Sequence, residues 1–342
     1  MKAVVLVGGL GTRLRPLTLR TPKQMLPVAG RPLIERVVAH LGAHGVDEVV
    51  LSLGYKPDAF RQAYPDAICA GVRLVYAVED EPLDTAGAIR FAAVEGGVDE
   101  RFLVVNGDVI TDLDVSALVA AHDRAHEAEG ALATIQLAPV DDPSAYGVVT
   151  VDQDGRVRAF VEKPAPGDAA SNLVSVGYYV FEPDVLARIP GEGRVNIERE
   201  TFPALVADGL LWGHEDTPWW TDVGTPERFL EVSLDLVERG VDGAIAVSDS
   251  AMVATSATVT RSILGPGCRV GRNARINGSV LFARAVVGNG ATVTDSIVGA
   301  SAVVGAAATV VGRSVLGNGV EVDGGASLSG AVLPPPEDWP SS

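Results

Sequence analysis

A glycine-rich turn near the start of the chain carries residue types that bind phosphate. An apolar run, Ala3–Val7, leads into Gly8-Gly9-Leu10-Gly11-Thr12, and Arg13, Arg15 and Lys23 follow within a few residues. Glycines let backbone N–H groups approach an anion closely, whereas three neighbouring cations have no packing role in a core. The turn is not a Walker loop, because no Gly-Lys-Ser/Thr follows, and it does not match the dinucleotide fingerprint. The pattern predicts a binding site for a small polyanion.

The distribution of charge supports this prediction. The chain has 27 Lys and Arg against 44 Asp and Glu, which gives a formal net charge of −17. Such a protein repels nucleic acid, so no nucleic-acid partner is expected. Between Met1 and Arg36, however, seven basic residues stand against one acidic residue, Glu35. Cations concentrated around a glycine turn in an acidic protein indicate a small anionic substrate.

A candidate metal ligand follows an apolar strand. Asp108 comes after the predicted strand Phe102–Val105, in the sequence Asn106-Gly107-Asp108. The carboxyl end of a parallel strand is where α/β folds place ligands, and Mg²⁺ binds one or two carboxylates together with phosphate oxygens. The alternative interpretation is an Asn-Gly turn with a capping Asp.

The order of several motifs resembles that of the sugar-1-phosphate nucleotidyltransferases, or NDP-sugar pyrophosphorylases. After GGLGTRLRPLT and TPKQMLPVAGRPLIE come EDEPLDTAGAI (Glu79–Ile89), VVNGD (ending at Asp108), YGVV (Tyr146–Val149), FVEKP (Phe160–Pro164), GYYVFEPDVL (Gly177–Leu186) and WWTDVGTPERF (Trp219–Phe229). Together with the C-terminal repeat described below, these motifs make the chain most similar to mannose-1-phosphate guanylyltransferases.

The resemblance implies an enzyme that transfers a nucleotidyl group from a nucleoside triphosphate to a sugar 1-phosphate and releases pyrophosphate, with Mg²⁺ as cofactor. GTP and mannose 1-phosphate are the favoured substrates. The alternatives are thymidylyl, uridylyl or adenylyl transfer to glucose 1-phosphate or a related sugar or cyclitol phosphate, and a non-catalytic subunit that binds nucleotide sugars. A β-helix acyltransferase is disfavoured, because the five histidines all precede the repeat.

The implied reaction needs charge neutralisation more than a general base. The second pKa of a phosphate monoester is about 6, so the nucleophile is already ionised at neutral pH. Arg13 is expected to clamp the β- and γ-phosphates with its planar fork, and Arg15 to assist it. Lys23 is expected to contact the α-phosphate or the incoming phosphate. The resemblance assigns Asp222 as the second metal ligand beside Asp108; its alternative role is an N-cap for the helix predicted from Pro226.

Base and sugar recognition are assigned to other motifs. Guanine presents adjacent N1–H and N2–H donors that suit a carboxylate, so Glu79 is predicted to read the base, with Asp80 as the substitute and Gly87 in the same motif. For the sugar phosphate, the resemblance implies four residues: Gly147, Glu162, Lys163 and Ser175. Ser175 stands where many family members have Asn, and Asp84 where related guanylyltransferases often have Gly, which leaves the identity of the sugar open.

The predicted elements describe two domains, at residues 1–240 and 251–335, joined by a linker at 241–250. Strands alternate with helices in the first, which predicts a Rossmann-like, mixed but mostly parallel sheet. The predicted strands are Ala3–Val7, Glu48–Leu53, Arg73–Ala77, Phe102–Val105, Ala131–Leu137, Gly147–Val151, Val157–Val161 and Val174–Phe181. The predicted helices are Pro32–Leu41, Pro57–Ala63, Thr85–Val94, Ile197–Ala207 and Pro226–Arg239.

A repeat of 17 residues follows the predicted linker. Val253, Val270, Val287 and Val304 share one phase, and Ser262, Ser279 and Ser296 share another until one extra residue moves the next serine to Ser314. Aliphatic steps of about six residues are typical of a triangular, left-handed parallel β-helix of the hexapeptide type. Its glycines and asparagines are predicted to occupy corners with positive φ: Gly265, Gly271, Asn273, Gly288, Asn289, Gly305, Gly317 and Asn318. Its flat sides and open end predict a homo-oligomer.

Two further features bear on metal binding and location. His122 and His126 have the i,i+4 spacing of a zinc helix, but a solvated helix face is the favoured interpretation because the sequence indicates no third ligand. Cys69 and Cys268 imply no disulfide framework. The chain shows neither a signal peptide nor an apolar run long enough for a membrane span. A cytoplasmic protein without a membrane partner is expected.

Overall fold

The computed structural model describes residues 1–54, 56–165, 167–241, 243–244 and 246–340. The chain divides into two compact units: residues 1–9 and 34–221 form the first unit, and residues 10–33 and 222–342 the second. The glycine-rich turn is therefore shared, because its first two glycines belong to the first unit and its cations to the second. Two residues of the predicted linker, Asp242 and Ile245, lie outside the described residues.

The strands up to residue 222 are, in chain order, β1 (Lys2–Leu6), β2 (Pro27–Val28), β3 (Arg31–Pro32), β4 (Glu48–Leu53), β5 (Ile68–Cys69), β6 (Val72–Val78), β7 (Phe102–Asn106), β8 (Val109–Thr111), β9 (Ala133–Pro139), β10 (Gly147–Val151), β11 (Val157–Glu162), β12 (Leu173–Phe181), β13 (Leu211–Glu215) and β14 (Trp220–Asp222). The helices are α1 (Leu33–Ala43), α2 (Pro57–Ala63), α3 (Asp84–Glu95), α4 (Val115–Glu129), α5 (Phe202–Ala207) and α6 (Pro226–Glu238).

A ten-stranded mixed sheet forms the centre of the first unit. Its order is β11-β10-β12-β7-β1-β4-β6-β5, and β9 pairs with β12 and β13. β1 is parallel to both β4 and β7, with Val4 opposite Val50 and Val104. These three valines are fully buried, as expected for parallel strands covered by helices on both faces. The mostly parallel sheet is confirmed, and β10, β11 and β12 form its antiparallel portion, as predicted. The last strand, β13, pairs with β9 in parallel.

The predicted helix Ile197–Ala207 differs from the observed structure at its first turn. Ile197–Thr201 is a π-helix, and only Phe202–Ala207 is α-helical. Asn196 Oδ1 accepts from Arg199 N at 2.9 Å, while Asn196 N donates to Glu200 Oε1 at 2.8 Å. This capping box fixes the start of the segment. Single π-turns of this kind are frequent at functional sites.

The C-terminal repeat is a parallel β-helix. Its strands are β15 (Met252–Val253), β16 (Thr258–Thr260), β17 (Ile263–Leu264), β18 (Arg269–Val270), β19 (Arg275–Asn277), β20 (Val280–Leu281), β21 (Val286–Val287), β22 (Thr292–Thr294), β23 (Ile297–Val298), β24 (Val303–Val304), β25 (Thr309–Val311), β26 (Val315–Leu316), β27 (Glu321–Val322), β28 (Ser327–Ser329) and β29 (Val332–Leu333). They form three five-stranded parallel sheets, and each sheet takes every third strand.

The strand registers confirm the predicted repeat and its one-residue shift. Val253 pairs with Val270 and Val270 with Val287. At the corner before Ser296, a single residue, Asp295, has a positive φ of 47°. In the next coil two residues, Gly312 and Arg313, take that place with φ of 67° and 63°. The second left-handed residue accommodates the insertion without disturbing the ladder.

The reason predicted for many of the β-helix glycines is wrong. Gly265, Gly271, Gly288, Gly305 and Gly317 are not among the glycines with positive φ, whereas Asn273 has φ 56°. A Cβ at Gly288 would lie 2.6 Å from Ala306 N, and one at Gly305 would lie 2.5 Å from Gly324 N. Neighbouring coils thus approach so closely at these corners that no side chain fits. Close backbone approach, and not backbone conformation, requires these glycines.

Helix α6 packs against the β-helix within the second unit. The rings of Phe229 and Phe282 lie 5.6 Å apart, and Glu238 pairs with Arg261 at 2.5 Å. The end of the predicted linker also joins the β-helix, because Ser248 N donates to Leu264 O at 2.9 Å. Throughout the described part of the chain, no helix combines the length and the apolar character that crossing a membrane requires.

Candidate active site

The predicted base reader, Glu79, is fixed beside the glycine turn in the first unit. Glu79 Oε1 accepts from Ser52 Oγ at 2.8 Å, and Oε2 accepts from Leu83 N at 3.1 Å. A Cβ added at Gly8 would lie 3.8 Å from Glu79 Oε1. Asp80, in contrast, is exposed. Of the two candidate acids, Glu79 is the one whose carboxylate is held in a single orientation.

The first turn of α3 is hydrogen-bonded to the segment that precedes the π-helix. The N–H groups of Ala86 and Gly87 both donate to Val195 O, at 2.9 and 3.2 Å. A Cβ at Gly87 would lie 3.4 Å from Gly193 O. Gly87 therefore allows the two backbones to pack closely, and its N–H already has a partner within the protein.

Asp84 replaces the usual glycine by a local hydrogen-bonding arrangement. Its φ is 61°, in the left-handed region that Gly, Asn and Asp tolerate best. Its Oδ1 accepts from Thr85 N at 2.8 Å and from Asn196 Nδ2 at 3.1 Å. These contacts explain why an Asp can occupy this position.

The predicted sugar-phosphate residues meet in the β10–β11 hairpin. Gly147 is opposite Glu162 in the strand pair, and a Cβ at Gly147 would lie 2.5 Å from Phe160 Cζ and 3.1 Å from Glu162 Oε2. Lys163 Nζ lies 3.0 Å from Glu162 Oε1. The structure therefore brings Gly147, Glu162 and Lys163 together.

Tyr179 connects this hairpin with the other predicted site residues of the first unit. Burial raises the pKa of Tyr179, and the carboxylates of Glu198, Glu162 and Asp108 raise it further. Ser175 Oγ donates to Tyr179 Oη at 3.4 Å. Asp108, Glu162 and Ser175 therefore all lie near the buried side chain of Tyr179. The capping alternative for Asp108 is wrong for the following helix, because α4 is capped by Asp114, whose Oδ1 accepts from Ala117 N at 3.0 Å.

Glu198 is a candidate site residue that the sequence did not reveal. It lies in the π-helix, and Thr85 Oγ1 donates to its Oε2 at 3.1 Å. Burial raises the pKa of Glu198, and the nearby carboxylates of Glu162 and Asp84 raise it as well. A partly buried carboxylate beside two others is costly unless it has a function. The sequence Ile-Glu-Arg-Glu-Thr gives no such signal by itself.

In the second unit, the glycine turn folds tightly around its cations. Gly11 has φ 62°, and a Cβ there would lie 3.1 Å from Thr18 Cγ2 and 3.2 Å from Lys23 Cβ. Thr18 Oγ1 donates to Gly11 O at 2.7 Å. Thr12 and Arg13 begin a one-turn helix and are exposed, whereas Lys23 is only 7% exposed. The turn holds Arg13 outward and Lys23 inward.

Arg13 and the predicted metal ligand Asp222 flank the same glycine. A Cβ at Gly224 would lie 2.5 Å from Asp222 Oδ2 and 3.5 Å from Arg13 Nη2. Asp222 does not cap α6, because Thr225 does so: its Oγ1 accepts from Arg228 N at 3.3 Å. The capping alternative for Asp222 is therefore wrong.

Comparison with known proteins decides the family. The family model "Nucleotidyl transferase" matches residues 2–239, and "GMPPB C-terminal domain" matches residues 241–338. The chain belongs to the nucleotidyl transferase family. It is 41% identical over 285 residues to a mannose-1-phosphate guanylyltransferase of Mycobacterium tuberculosis, covering 80% of this chain and 77% of that protein. It is 42% identical over 236 residues to a mannose-1-phosphate guanyltransferase of Aspergillus fumigatus, covering 67% of this chain and 62% of that protein.

Solved structures agree with the family. HddC from Yersinia pseudotuberculosis, complexed with GMP-PN, aligns with a TM-score of 0.58 at 27% identity over 69% of this chain and 99% of its own. A putative glucose-1-phosphate thymidylyltransferase from Bacillus anthracis aligns with a TM-score of 0.59 at 26% identity, over 68% of this chain and 94% of its own. The catalytic fold of this nucleotidyl transferase is thus confirmed.

The interpretation of His122 as part of a solvated face is wrong. His122 is fully buried, and Glu182 is a third potential ligand within 4.8 Å of His122 and His126. His122 Nδ1 is 2.8 Å from Thr134 Oγ1, and its Nε2 is 3.1 Å from Glu182 Oε1. Arg101 Nε already donates to the same Glu182 oxygen at 2.6 Å. In this nucleotidyl transferase the cluster joins α4 to the sheet, and burial lowers the pKa of His122 to about 4.

Proposed function

We propose that the chain transfers a guanylyl group from GTP to mannose 1-phosphate and releases pyrophosphate. The relatives whose names carry this activity support the proposal. The observation that carries the choice of base is the carboxylate of Glu79, fixed by Ser52 and Leu83 beside Gly8. A carboxylate only accepts hydrogen bonds, so it complements the N1–H and N2–H donors of guanine. The thymidylyl, uridylyl and adenylyl alternatives are not favoured.

The reaction is a displacement at phosphorus. An ionised oxygen of the sugar 1-phosphate attacks the α-phosphorus, a new P–O bond forms, and the bond to the β-phosphate oxygen breaks as pyrophosphate leaves. Arg13, with Arg15 assisting, neutralises the charge that gathers on the leaving group, and Lys23 contacts the α-phosphate or the incoming phosphate. The backbone of Gly8, Gly9, Gly11 and Thr12 completes the nucleotide site.

The sugar phosphate is proposed to bind along the β10–β11 hairpin. Glu162 accepts a hydrogen bond from a sugar hydroxyl, Lys163 binds the phosphate, and Gly147 allows the ring to approach the backbone. Glu198, held by Thr85, provides a further acceptor near Tyr179 and Ser175. Several fixed carboxylates suit a ligand that is rich in hydroxyl donors.

A divalent metal ion is general in this family, and we propose that this enzyme uses Mg²⁺ held by Asp108 and Asp222. The donor chemistry fits a hard cation, because both side chains are carboxylates, whose oxygens are the ligands that Mg²⁺ prefers. When bound, the ion offsets the charge of the phosphate oxygens. Asp108 thereby counts among the catalytic residues together with Arg13 and Lys23.

The test is a matrix of GTP, dTTP, UTP and ATP against mannose 1-phosphate and glucose 1-phosphate, scored by Mg²⁺-dependent release of pyrophosphate. The highest kcat/KM is expected for GTP with mannose 1-phosphate. If none of the four triphosphates were turned over, the proposed function would be contradicted. A preference for another pair of substrates would correct only the substrate assignment.

We also propose a homo-oligomer formed through the β-helix, in the cytosol. Met252 and Val253, which begin the first coil, are 53% and 38% exposed, and apolar side chains at an open end favour association. A monomer in light scattering would contradict the oligomer. The reduced, buried Cys69 and Cys268 support a cytosolic location.

A further inference from the structure

The turn that carries the cations contacts the last coil of the β-helix within the second unit. Pro16, which is buried, lies against Gly317: a Cβ at Gly317 would lie 3.2 Å from Pro16 Cβ and 3.2 Å from Pro334 Cδ. From Pro334 the chain continues through a one-turn helix, Pro336–Asp338, to Trp339. The residue before Pro16 is Arg15, so this packing brings Arg15 close to the end of the β-helix.

The indole ring of Trp339 lies against the guanidinium of Arg15. Arg15 Cζ is 5.8 Å from the ring centroid, within the distance at which the ring quadrupole attracts a cation. The ring itself is oriented, because Trp339 Nε1 donates to Pro334 O at 2.9 Å. Arg15 and Trp339 are both half-buried, whereas Arg13 is exposed. Arg15 is therefore held by an aromatic ring, whereas Arg13 is exposed and lies beside Gly224.

An aromatic ring holds a guanidinium without neutralising it. A carboxylate partner would also fix Arg15, but it would compete with phosphate for the same donors. In the part of the chain that the structure describes, the ion pairs include none from Arg15 to a carboxylate. Arg15 thus keeps its full charge and its fork of donors while the conformational freedom of its side chain is reduced.

We propose that Trp339 is a positioning residue that holds Arg15, through the face of its ring, in the orientation in which the guanidinium binds the triphosphate. The inference rests on the proposed function and extends it to a residue outside the motifs of the catalytic half. It gives the end of the β-helix a direct part in nucleotide binding.

The test compares Trp339→Phe with Trp339→Leu in the full-length enzyme. Both variants lose the indole N–H and both keep an apolar side chain, so they differ chiefly in the presence of a ring face. The KM for GTP is expected to be about two- to fivefold higher for the Leu variant than for the Phe variant, the size of a partly exposed cation–π contact. Because the contact acts on binding, kcat is expected to change little.

Two results would overturn the inference. One is an equal KM for GTP in the Phe and Leu variants; the other is a loss confined to kcat or to melting temperature, as a purely structural residue would give. In an Arg15→Gln background, the difference between Phe and Leu should disappear. The Kd for GTP, measured by calorimetry, gives the same comparison without turnover. An inactive wild-type enzyme would count against the proposed function, whereas equal variants of an active enzyme would count only against Trp339.

Discussion

The β-helix and the sheet unit use polar groups for different purposes. In the β-helix, the buried serines Ser262, Ser279 and Ser296 recur once per coil. Ser279 Oγ donates to Asn277 O at 2.8 Å and accepts from Ser296 N at 3.1 Å, and Ser262 Oγ accepts from Ser279 N at 3.1 Å. The hydroxyls of Ser262 and Ser279 thus bond both the corner of their own coil and the backbone of the next coil. These groups are neutral, repeated and fully used within the fold.

In the sheet unit, two partly buried carboxylates, Glu79 and Glu198, are in contrast single and charged. Glu198 occurs once, is surrounded by other carboxylates, and has a raised pKa. Glu79 is held by Ser52. Ser52 lies in β4, where every other residue after Glu48 is apolar. A repeated and satisfied polar group stabilises a fold, whereas a single charged group that the fold keeps at a cost indicates a ligand. The comparison predicts that mutations of site carboxylates in the sheet unit change activity, whereas mutations in the β-helix change stability.

The largest expected effect is loss of activity without loss of stability. Asp108→Asn removes a proposed metal ligand, and kcat/KM is expected to fall by about 10³-fold while the melting temperature stays close to that of the wild type. The matched control is Asp114→Ala, which removes the cap of α4 and should cost about 1 kcal/mol of stability with kcat/KM unchanged. If the two variants exchanged these phenotypes, the assignment of Asp108 would be wrong.

The second prediction concerns the tight corners of the β-helix. Gly288→Ala places a methyl group 2.6 Å from Ala306 N, a backbone atom that cannot move aside, and should cost about 1–3 kcal/mol. Denaturant unfolding measures the loss. Gly290→Asn is the control: Gly290 has φ 70° and nothing within 4 Å, and Asn tolerates this conformation. Equal destabilisation by both would contradict close approach as the reason for Gly288.

These two positions also show what the sequence could predict. The period of 17 was readable because every coil repeats the same contacts, so Val270 and Val287 carry the same constraint. The reason for Gly288 could not be read from the sequence, because a glycine needed for close approach and one needed for positive φ look alike there. In the sheet unit the motifs indicated Glu79 and Asp108. Glu198 in the sheet unit and Trp339 in the second unit depend on contacts between distant segments, which no local pattern encodes.

A loss of similar size is expected in the serine ladder. Ser279→Ala leaves Ser296 N without its acceptor inside the fold, and an unsatisfied buried N–H costs about 1–3 kcal/mol. Ser301→Ala is the matched control, because Ser301 is exposed and, among the described residues, its Oγ accepts only from Arg284 Nε, at 3.2 Å. Thermal unfolding compares the two. If Ser301→Ala lowered the melting temperature as much as Ser279→Ala, the hydrogen bonds of the buried serines would not be what stabilises the coil.

The smallest effect should have the opposite sign. Burial raises the pKa of Glu198 above its ordinary 4.5, so the folded state binds this proton more tightly than the unfolded state. Its contribution to stability is therefore present at low pH and is lost as pH rises through the folded-state pKa. Glu198→Gln should raise the melting temperature at pH 7, less so near pH 4.5, and weaken binding of the sugar phosphate. A stability gain independent of pH would contradict this account.

The most direct test of the contrast between the two units is Glu79→Gln, a change of one oxygen to an amide in a side chain that the fold already holds. The measurement is the ratio of kcat/KM for GTP to that for dTTP with mannose 1-phosphate. Because an amide can donate to a carbonyl of the base where a carboxylate only accepts, the ratio is expected to fall by about 10- to 100-fold, equivalent to about 1.4–2.8 kcal/mol. An unchanged preference for GTP would contradict the assignment of Glu79 as the residue that reads the base.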